Sequence, residues 1–491
     1  MNTERYTLPR ILLAAPASGS GKTMITCGLL QILKKRMKMA AFKCGPDYID
    51  PMFHTKVLGI PSCNLDTYLA DSETVCRLLF ENTAACDARM ALIEGVMGYY
   101  DGLGGVTTRA SSYELARTTQ TPVVLIVDMR GTSLSALAMI RGFLRYGQER
   151  GGTDGTELFR AETETGDGCS GIYGVILNRC SRAVYERIAP LIEEQLHVHA
   201  LGYVPQTASI SFPGRHLGLT LPEEIRDLQA KIDNFAAEIA KTVDIERLIR
   251  IAGEAPSLSL PDPDSRKKKK ESRGAAPVRI AVARDEAFCF YYEENLKILR
   301  DQGAELVEFS PIHHSCLPEG IQGIYMGGGY PELHAAKLAE NKTMLADIRK
   351  AVLKEKLPCL AECGAYMYLH EEMEDVSGEI RKMAGVIPGR AFRTNHLVRF
   401  GYCELTSLED TILGPAGLKL RAHEFHYWDT KGEGKEGSFL AGKPVTDFVK
   451  SSPQNSWRCM YSRDNLLAGF PHLYFPGNMA AAIAFLWNCR N

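Results

Sequence analysis

Apolar residues in the first half of the chain gather into short unbroken runs at 11–15, 39–43, 90–94, 123–127 and 174–177. Such runs suit strands buried on both faces, as in a parallel sheet. Turn residues or helical spacing follow each run, which predicts a doubly wound α/β unit. The pattern resumes at 278–283, 304–309, 323–326 and 357–361 and predicts a second α/β unit. No internal repeat is present.

Two stretches break the rhythm. Residues 148–170 are rich in Gly, Thr, Glu and Asp and read as a mobile surface insertion. Residues 254–277 carry a Pro-Asp-Pro-Asp run and then five consecutive basic residues, Arg266 to Lys270. A nuclear signal or an acid-binding patch is one reading of the basic run, and a solvated linker is the one taken. The expected division is 1–252, a linker at 253–277, and 278–491.

A length of 491 residues fits two or three domains, and 45% hydrophobic with 24% charged residues is ordinary for globular proteins. The formal net charge of −2 gives no reason to expect nucleic acid or a membrane surface. Residues 1–10 do not read as a signal peptide, and no apolar run is long enough to span a bilayer. The fourteen cysteines include no C-x-x-C pair, so they read as reduced cytoplasmic thiols used mainly in packing, Cys359 among them.

Chemistry enters after the first run. Ser18-Gly19-Ser20-Gly21-Lys22-Thr23 leads from a strand into a helix expected at 24–34. Glycines let backbone N–H groups turn toward phosphate oxygens, and the helix N-terminus favours negative charge. In such a P-loop Lys22 would neutralise the terminal phosphates of ATP, and the Thr23 hydroxyl would ligate Mg²⁺. Pro16 stands where the full signature has glycine. Acids gather after successive strands: Asp47 and Asp50 flank Tyr48, Glu94 ends the run at 90–94, and Asp101 follows. Ligands of open α/β sheets collect at that edge, which makes Thr23, Asp47 and Glu94 the candidate metal ligands. Asp128 reads as a cap or supporting residue, and Asn178 as an amide able to read the adenine edge.

In the second half, the run at 357–361 turns sharply at Glu362-Cys363-Gly364 into a helix near Tyr366. A cysteine at such an elbow is a candidate nucleophile whose pKa the helix N-terminus would lower. Gly327, Gly328 and Gly329 follow another strand and could aim N–H groups at a developing oxyanion; Gly364 is a further donor. His472, His423 and His426 are all candidate bases, and spacing does not choose among them.

Together these segments resemble the cobyrinic acid a,c-diamide synthases. The resemblance rests on residues 14–51, on the runs 94–102, 215–219, 327–332 and 423–427, and covers nearly the whole chain. It implies a P-loop NTPase domain like dethiobiotin synthetase, followed by a class I glutamine amidotransferase domain. It also implies ATP- and glutamine-dependent amidation of the a and c acetates of a corrinoid, with Cys363 as nucleophile and His472 as its base. Asp47, Tyr48, Asp50, Glu94 and Asp101 would lie at the substrate-activating face. The wider class places Glu two residues after the histidine; Tyr474 stands there, implying a Cys-His dyad. Related enzymes act on nickel-sirohydrochlorin or hydrogenobyrinic acid, and cobyric acid synthase is disfavoured by the 45–51 run. A ParA-like nucleotide switch would leave the cysteine elbow unexplained. The expected partners are small molecules, with a homodimer left open.

Overall fold

The computed structural model describes residues 3–151, 170–206, 214–215, 218–219, 227–261, 277–431, 437–444 and 455–491. Most of the insertion expected at 148–170, the basic run Arg266 to Lys270, and His216 and Leu217 of the 215–219 motif lie outside the described residues.

The apolar runs of the first half form a parallel seven-stranded sheet. Its spatial order is Ser62–Leu65, Met39–Cys44, Met90–Glu94, Arg10–Ala14, Val123–Asp128, Ile172–Asn178 and His199–Val204. Arg10–Ala14 is fully buried, because it lies between two strands and under helices on both sides. The chain runs to one side of this strand after Ala14 and to the other after Glu94. Strand order therefore reverses beside it, which opens a crevice at the carboxyl edge. The loop at 16–21 leaves the sheet there.

Two edge strands were not legible as apolar runs. Ser62–Leu65 is short and half polar, and His199–Val204 is interrupted by Gly202 with φ 133°. The expected linker is also shorter than its composition suggested. Leu258–Pro261 is a strand pairing antiparallel with Thr3–Tyr6, so the first unit continues past residue 252. By contacts, one unit comprises Met1–Thr67 and Asp71–Lys270, and the other Tyr68–Ala70 and Glu271–Asn491.

Arg10 is wholly buried within the first sheet and holds four carbonyls. Its guanidinium donates to Thr119 O and Leu8 O at 2.9 Å, Pro256 O at 2.7 Å and Gln120 O at 3.2 Å. Burial lowers its pKa to about 10. Arg10→Met removes every donor and leaves buried carbonyls unmet, so a stability loss of about 2–4 kcal/mol is expected. A lower urea midpoint for the first unit at constant slope is the readout; an unchanged midpoint contradicts it.

The second unit is built on a six-stranded sheet ordered Ala304–Phe309, Val278–Ala283, Gly323–Met326, Cys359–Glu362, Leu466–Gly469 and Tyr461–Arg463. The first five are parallel and the last antiparallel. Apolar clusters cover both faces. Beyond the sequence expectation, a separate five-stranded antiparallel sheet joins Ser456–Cys459, Phe439–Gly442, Arg399–Ser407, Lys419–His426 and His472–Leu473. It sets His472 directly opposite His423.

Candidate active sites

The loop after Arg10–Ala14 enters helix Lys22–Leu33. Gly21 takes φ 94°, and a Cβ there would stand 2.3 Å from Asn178 Nδ2, so only glycine fits. Asn178 Nδ2 donates to Ser20 O at 2.7 Å, while its Oδ1 accepts the Arg179 N–H at 2.9 Å. The amide expected to read a base thus braces the loop. Arg179 adds a second brace, donating to Gly19 O at 3.1 Å and to Asp128 at 2.6 Å, which gives Asp128 its supporting role. Ser18 and Gly19 are exposed; Ser20 is buried and donates to Ala17 O at 2.8 Å.

Lys22 is buried, its ammonium held by Met97 O at 2.5 Å and Ala17 O at 3.4 Å. Burial, and then repulsion from Lys43, lowers its pKa to about 8. Among the described residues its hydrogen-bond partners are carbonyls, with Glu94, Asp50 and Asp101 acting from farther off, and a buried cation so held is ready to be matched by an anionic ligand.

Beside it lies a buried ionic network. The Thr23 hydroxyl donates to Glu94 Oε1 at 2.5 Å, and Lys43 Nζ reaches the same oxygen at 3.1 Å. His54 Nε2 lies 3.3 Å from Glu94 Oε2, and Lys43 Nζ lies 2.5 Å from Asp50. Burial opposes charge on both Lys43 and Glu94. Asp50 and Glu94 nevertheless hold the lysine above its ordinary value, and Lys43 with His54 holds Glu94 below the usual carboxylate range. Asp47 accepts the N–H groups of Ile49 at 2.8 Å and Asp50 at 3.1 Å, and Asp101 accepts that of Gly98 at 3.0 Å. Both acids shape turns at the sheet edge, and Tyr48 is half-buried in the first of them. The Thr23 hydroxyl and the Glu94 carboxylate are hard oxygen donors next to the phosphate loop, a set that fits Mg²⁺.

In the second unit, Cys363 leaves strand Cys359–Glu362 with φ 48° and ψ −105°, a strained backbone for a residue with a side chain. The helix behind it, Gly364–Leu369, is only six residues long. Burial raises the thiol well above its ordinary pKa, with Glu332 adding to the effect. This corrects the expected lowering: a short helix N-terminus does not offset desolvation, so the thiol must give up its proton to a neighbour.

That neighbour is at hand. A Cβ on Gly328 would lie 2.6 Å from His472 Cε1, 3.5 Å from its Nε2 and 3.4 Å from Cys363 Cβ. The imidazole and the cysteine thus both border a glycine that no larger residue could replace. A Cβ on Gly364 would lie 3.1 Å from the Gly329 nitrogen, which brings two candidate oxyanion donors side by side. His472 is buried, and its pKa falls to about 4 through desolvation. His426 is engaged elsewhere: its Nδ1 lies 2.6 Å from Trp428 O, and its ring stacks on Phe470 at 3.8 Å. His423 stands behind His472, with its pKa lowered to about 3 by burial and then by His472.

Three polar residues escaped the sequence reading: Lys43, His54 and Glu362. Lys43 stands one residue before the end of a strand buried on both faces and Glu362 ends another, and a charge in that setting requires a partner. That requirement was the available signal.

Two family patterns match the chain. The CobQ/CobB/MinD/ParA nucleotide binding domain matches residues 11–219, and the CobB/CobQ-like glutamine amidotransferase domain matches residues 279–479. Proteins named cobyrinate a,c-diamide synthase are similar along almost their full length. The one from Caldanaerobacter subterraneus subsp. tengcongensis is 35% identical over 481 residues, 98% of each chain. That from Listeria innocua is 37% identical over 476 residues, 96% of this chain and 97% of the relative. The Salmonella typhimurium protein is 36% identical over 468 residues, 94% of each.

Proposed function

The chain belongs to the cobyrinate a,c-diamide synthase family, and from that premise we infer that it makes cobyrinic acid a,c-diamide in cobalamin biosynthesis. It is a glutamine-dependent, ATP-using amide ligase. The observation that carries the reading is the pairing, in one chain, of a buried P-loop lysine beside a Thr23–Glu94 contact with a cysteine elbow facing an imidazole.

Physical chemistry supplies the steps. A carboxylate repels nucleophiles, so a corrinoid acetate must first be activated. Its oxygen attacks the γ-phosphorus of ATP, ADP leaves, and an acyl phosphate forms. Lys22 meets the charge on the transferring phosphoryl group. Thr23 and Glu94 would hold Mg²⁺, which supplies charge neutralisation at the phosphates when bound. Lys43, itself paired with Asp50, fixes Glu94, while Asp47, Tyr48 and Asp101 shape the edge that would receive the corrinoid.

In the other unit, His472 Nε2 takes the Cys363 proton, and Sγ bonds to the carboxamide carbon of glutamine. The oxyanion is met by the N–H groups of Gly328, Gly329 and Gly364. As the C–N bond breaks, His472 returns the proton and ammonia departs; water then cleaves the thioester to glutamate. Ammonia displaces phosphate from the acyl phosphate and gives the amide. Every described cysteine is a free thiol, which supports placing this chemistry in a reducing cytoplasm.

Mass spectrometry of cobyrinic acid incubated with enzyme, ATP, Mg²⁺ and glutamine tests the reading. Two successive replacements of OH by NH₂, each requiring ATP, are expected. An unchanged corrinoid with glutamine still hydrolysed would refute the substrate assignment.

A further inference from the structure

We propose that Glu362, the residue just before the nucleophile, is the positioning residue for His472 and takes the place of the acid missing at Tyr474. The proposal rests on the reading of Cys363 and His472 as the glutaminase pair.

The geometry is that of a buried polar cluster in which the Glu362 carboxyl stands beside His472 Nδ1 without a formed hydrogen bond. Glu362 is 1% exposed, and its Oε2 lies 3.5 Å from His472 Nδ1, while Nε2 is the ring nitrogen nearer Gly328. Its other oxygen accepts from Tyr325 OH at 3.3 Å, and the Leu473 N–H also points at the carboxyl. Asn295 fixes the strand that carries the histidine, donating to Leu473 O at 2.8 Å and accepting the Phe475 N–H at 2.7 Å. It also donates to Tyr325 OH at 3.4 Å. Asn295 and Tyr325 are themselves fully buried, so this scaffold has little freedom to rearrange. Tyr474, by contrast, turns its ring edge toward Tyr292 at 5.0 Å.

The role follows from proton positions. To accept the thiol proton on Nε2, the imidazole must carry its own proton on Nδ1. A carboxylate at Nδ1 selects that tautomer and stabilises the imidazolium formed when Cys363 ionises. Burial pushes Glu362 up to about 8 and His472 down to about 4, so it is the carboxyl that must lose its proton before it can hold the Nδ1 proton in place. The other titratable groups around this cluster are Tyr291 and Tyr325 near Glu362, His423 and His426 near His472, and Glu332 and Glu424 acting on Cys363.

The test measures glutamine hydrolysis by the full chain against pH. Glu362→Gln keeps the shape but offers Nδ1 an amide. The expected result is a fall in kcat of about 100-fold with KM for glutamine little changed. The ascending limb of the pH profile should move to lower pH. Glu362→Asp, which retains a carboxylate, should recover part of kcat, and Tyr474→Phe should stay within about twofold. Ammonia-driven amide synthesis near the wild-type rate certifies folding. Wild-type kcat and pH limb in Glu362→Gln overturn the proposal; so does a larger loss in Tyr474→Phe than in Glu362→Gln. If Glu362→Gln fails the folding control, the pH limb and kcat of Glu362→Asp decide: both at wild type overturn the proposal. Glutaminase activity surviving in Cys363→Ala would instead sink the underlying reading.

Discussion

Cys363→Ala is expected to lower glutamine-driven amide synthesis by at least about 10³-fold while leaving ammonia-driven synthesis within a few-fold of wild type. The thiol is the atom that bonds to the glutamine carboxamide, and alanine has nothing to replace it. The fold should tolerate the change. Cysteine already occupies φ 48° at this elbow, so alanine inherits the backbone strain without adding to it. The space it leaves borders Gly328 and His472 and is small. The reaction is followed by corrinoid mass with either glutamine or ammonium chloride as nitrogen source, at a pH high enough to supply free ammonia. Equal losses from both sources in a folded variant would contradict two separate sites of chemistry.

How much of this was legible beforehand depended on the physical signal each part carries. Strands buried on both faces announce themselves as apolar runs, so 90–94 and 278–283 were read to the residue. Edge strands carry less, and Ser62–Leu65 and His199–Val204 went unseen. The antiparallel sheet holding His472 also went unseen, because its strands, such as Arg399–Ser407 with its mixed burial, alternate without a continuous apolar core. The P-loop was legible because its chemistry is local: glycines, Lys22 and Thr23 are consecutive in sequence. The base was not. His472 and Cys363 are more than a hundred residues apart, and only the sheet register brings them together. Glu362 was in plain view beside the nucleophile, yet strand alternation turns its side chain to the opposite face of the sheet from Ala361, and no sequence spacing shows that this face holds an imidazole. Asn178 shows a related ambiguity: an amide at a strand end serves a ligand and a neighbouring loop equally well, and the sequence did not show that it holds the Ser20 carbonyl.

Lys22→Met should lower amide synthesis by about 10³-fold or more with either nitrogen source, while Cys363-dependent glutamine hydrolysis persists. The same substitution should leave the free enzyme at least as stable as wild type. Among the described residues no carboxylate is in direct contact with the buried lysine, and its pKa of about 8 lies below the ordinary 10.5. A base depressed in the folded state binds fewer protons there than in the unfolded chain between those two values. Its unfavourable contribution is therefore full below pH 8 and fades as pH rises toward 10.5, with an upper limit of about 3 kcal/mol. Methionine preserves the aliphatic stem and removes the buried charge. Wild type should accordingly gain stability over that pH interval relative to Lys22→Met, which urea titrations at pH 7 and 10 would reveal. ATP reverses the balance, since its phosphates raise the lysine's pKa. Nucleotide binding near pH 8–9 should then take up a proton, measured by calorimetry in buffers of different ionisation enthalpy, and the uptake should vanish in Lys22→Met. Proton uptake that survives the substitution would show that another group carries the phosphate-linked charge.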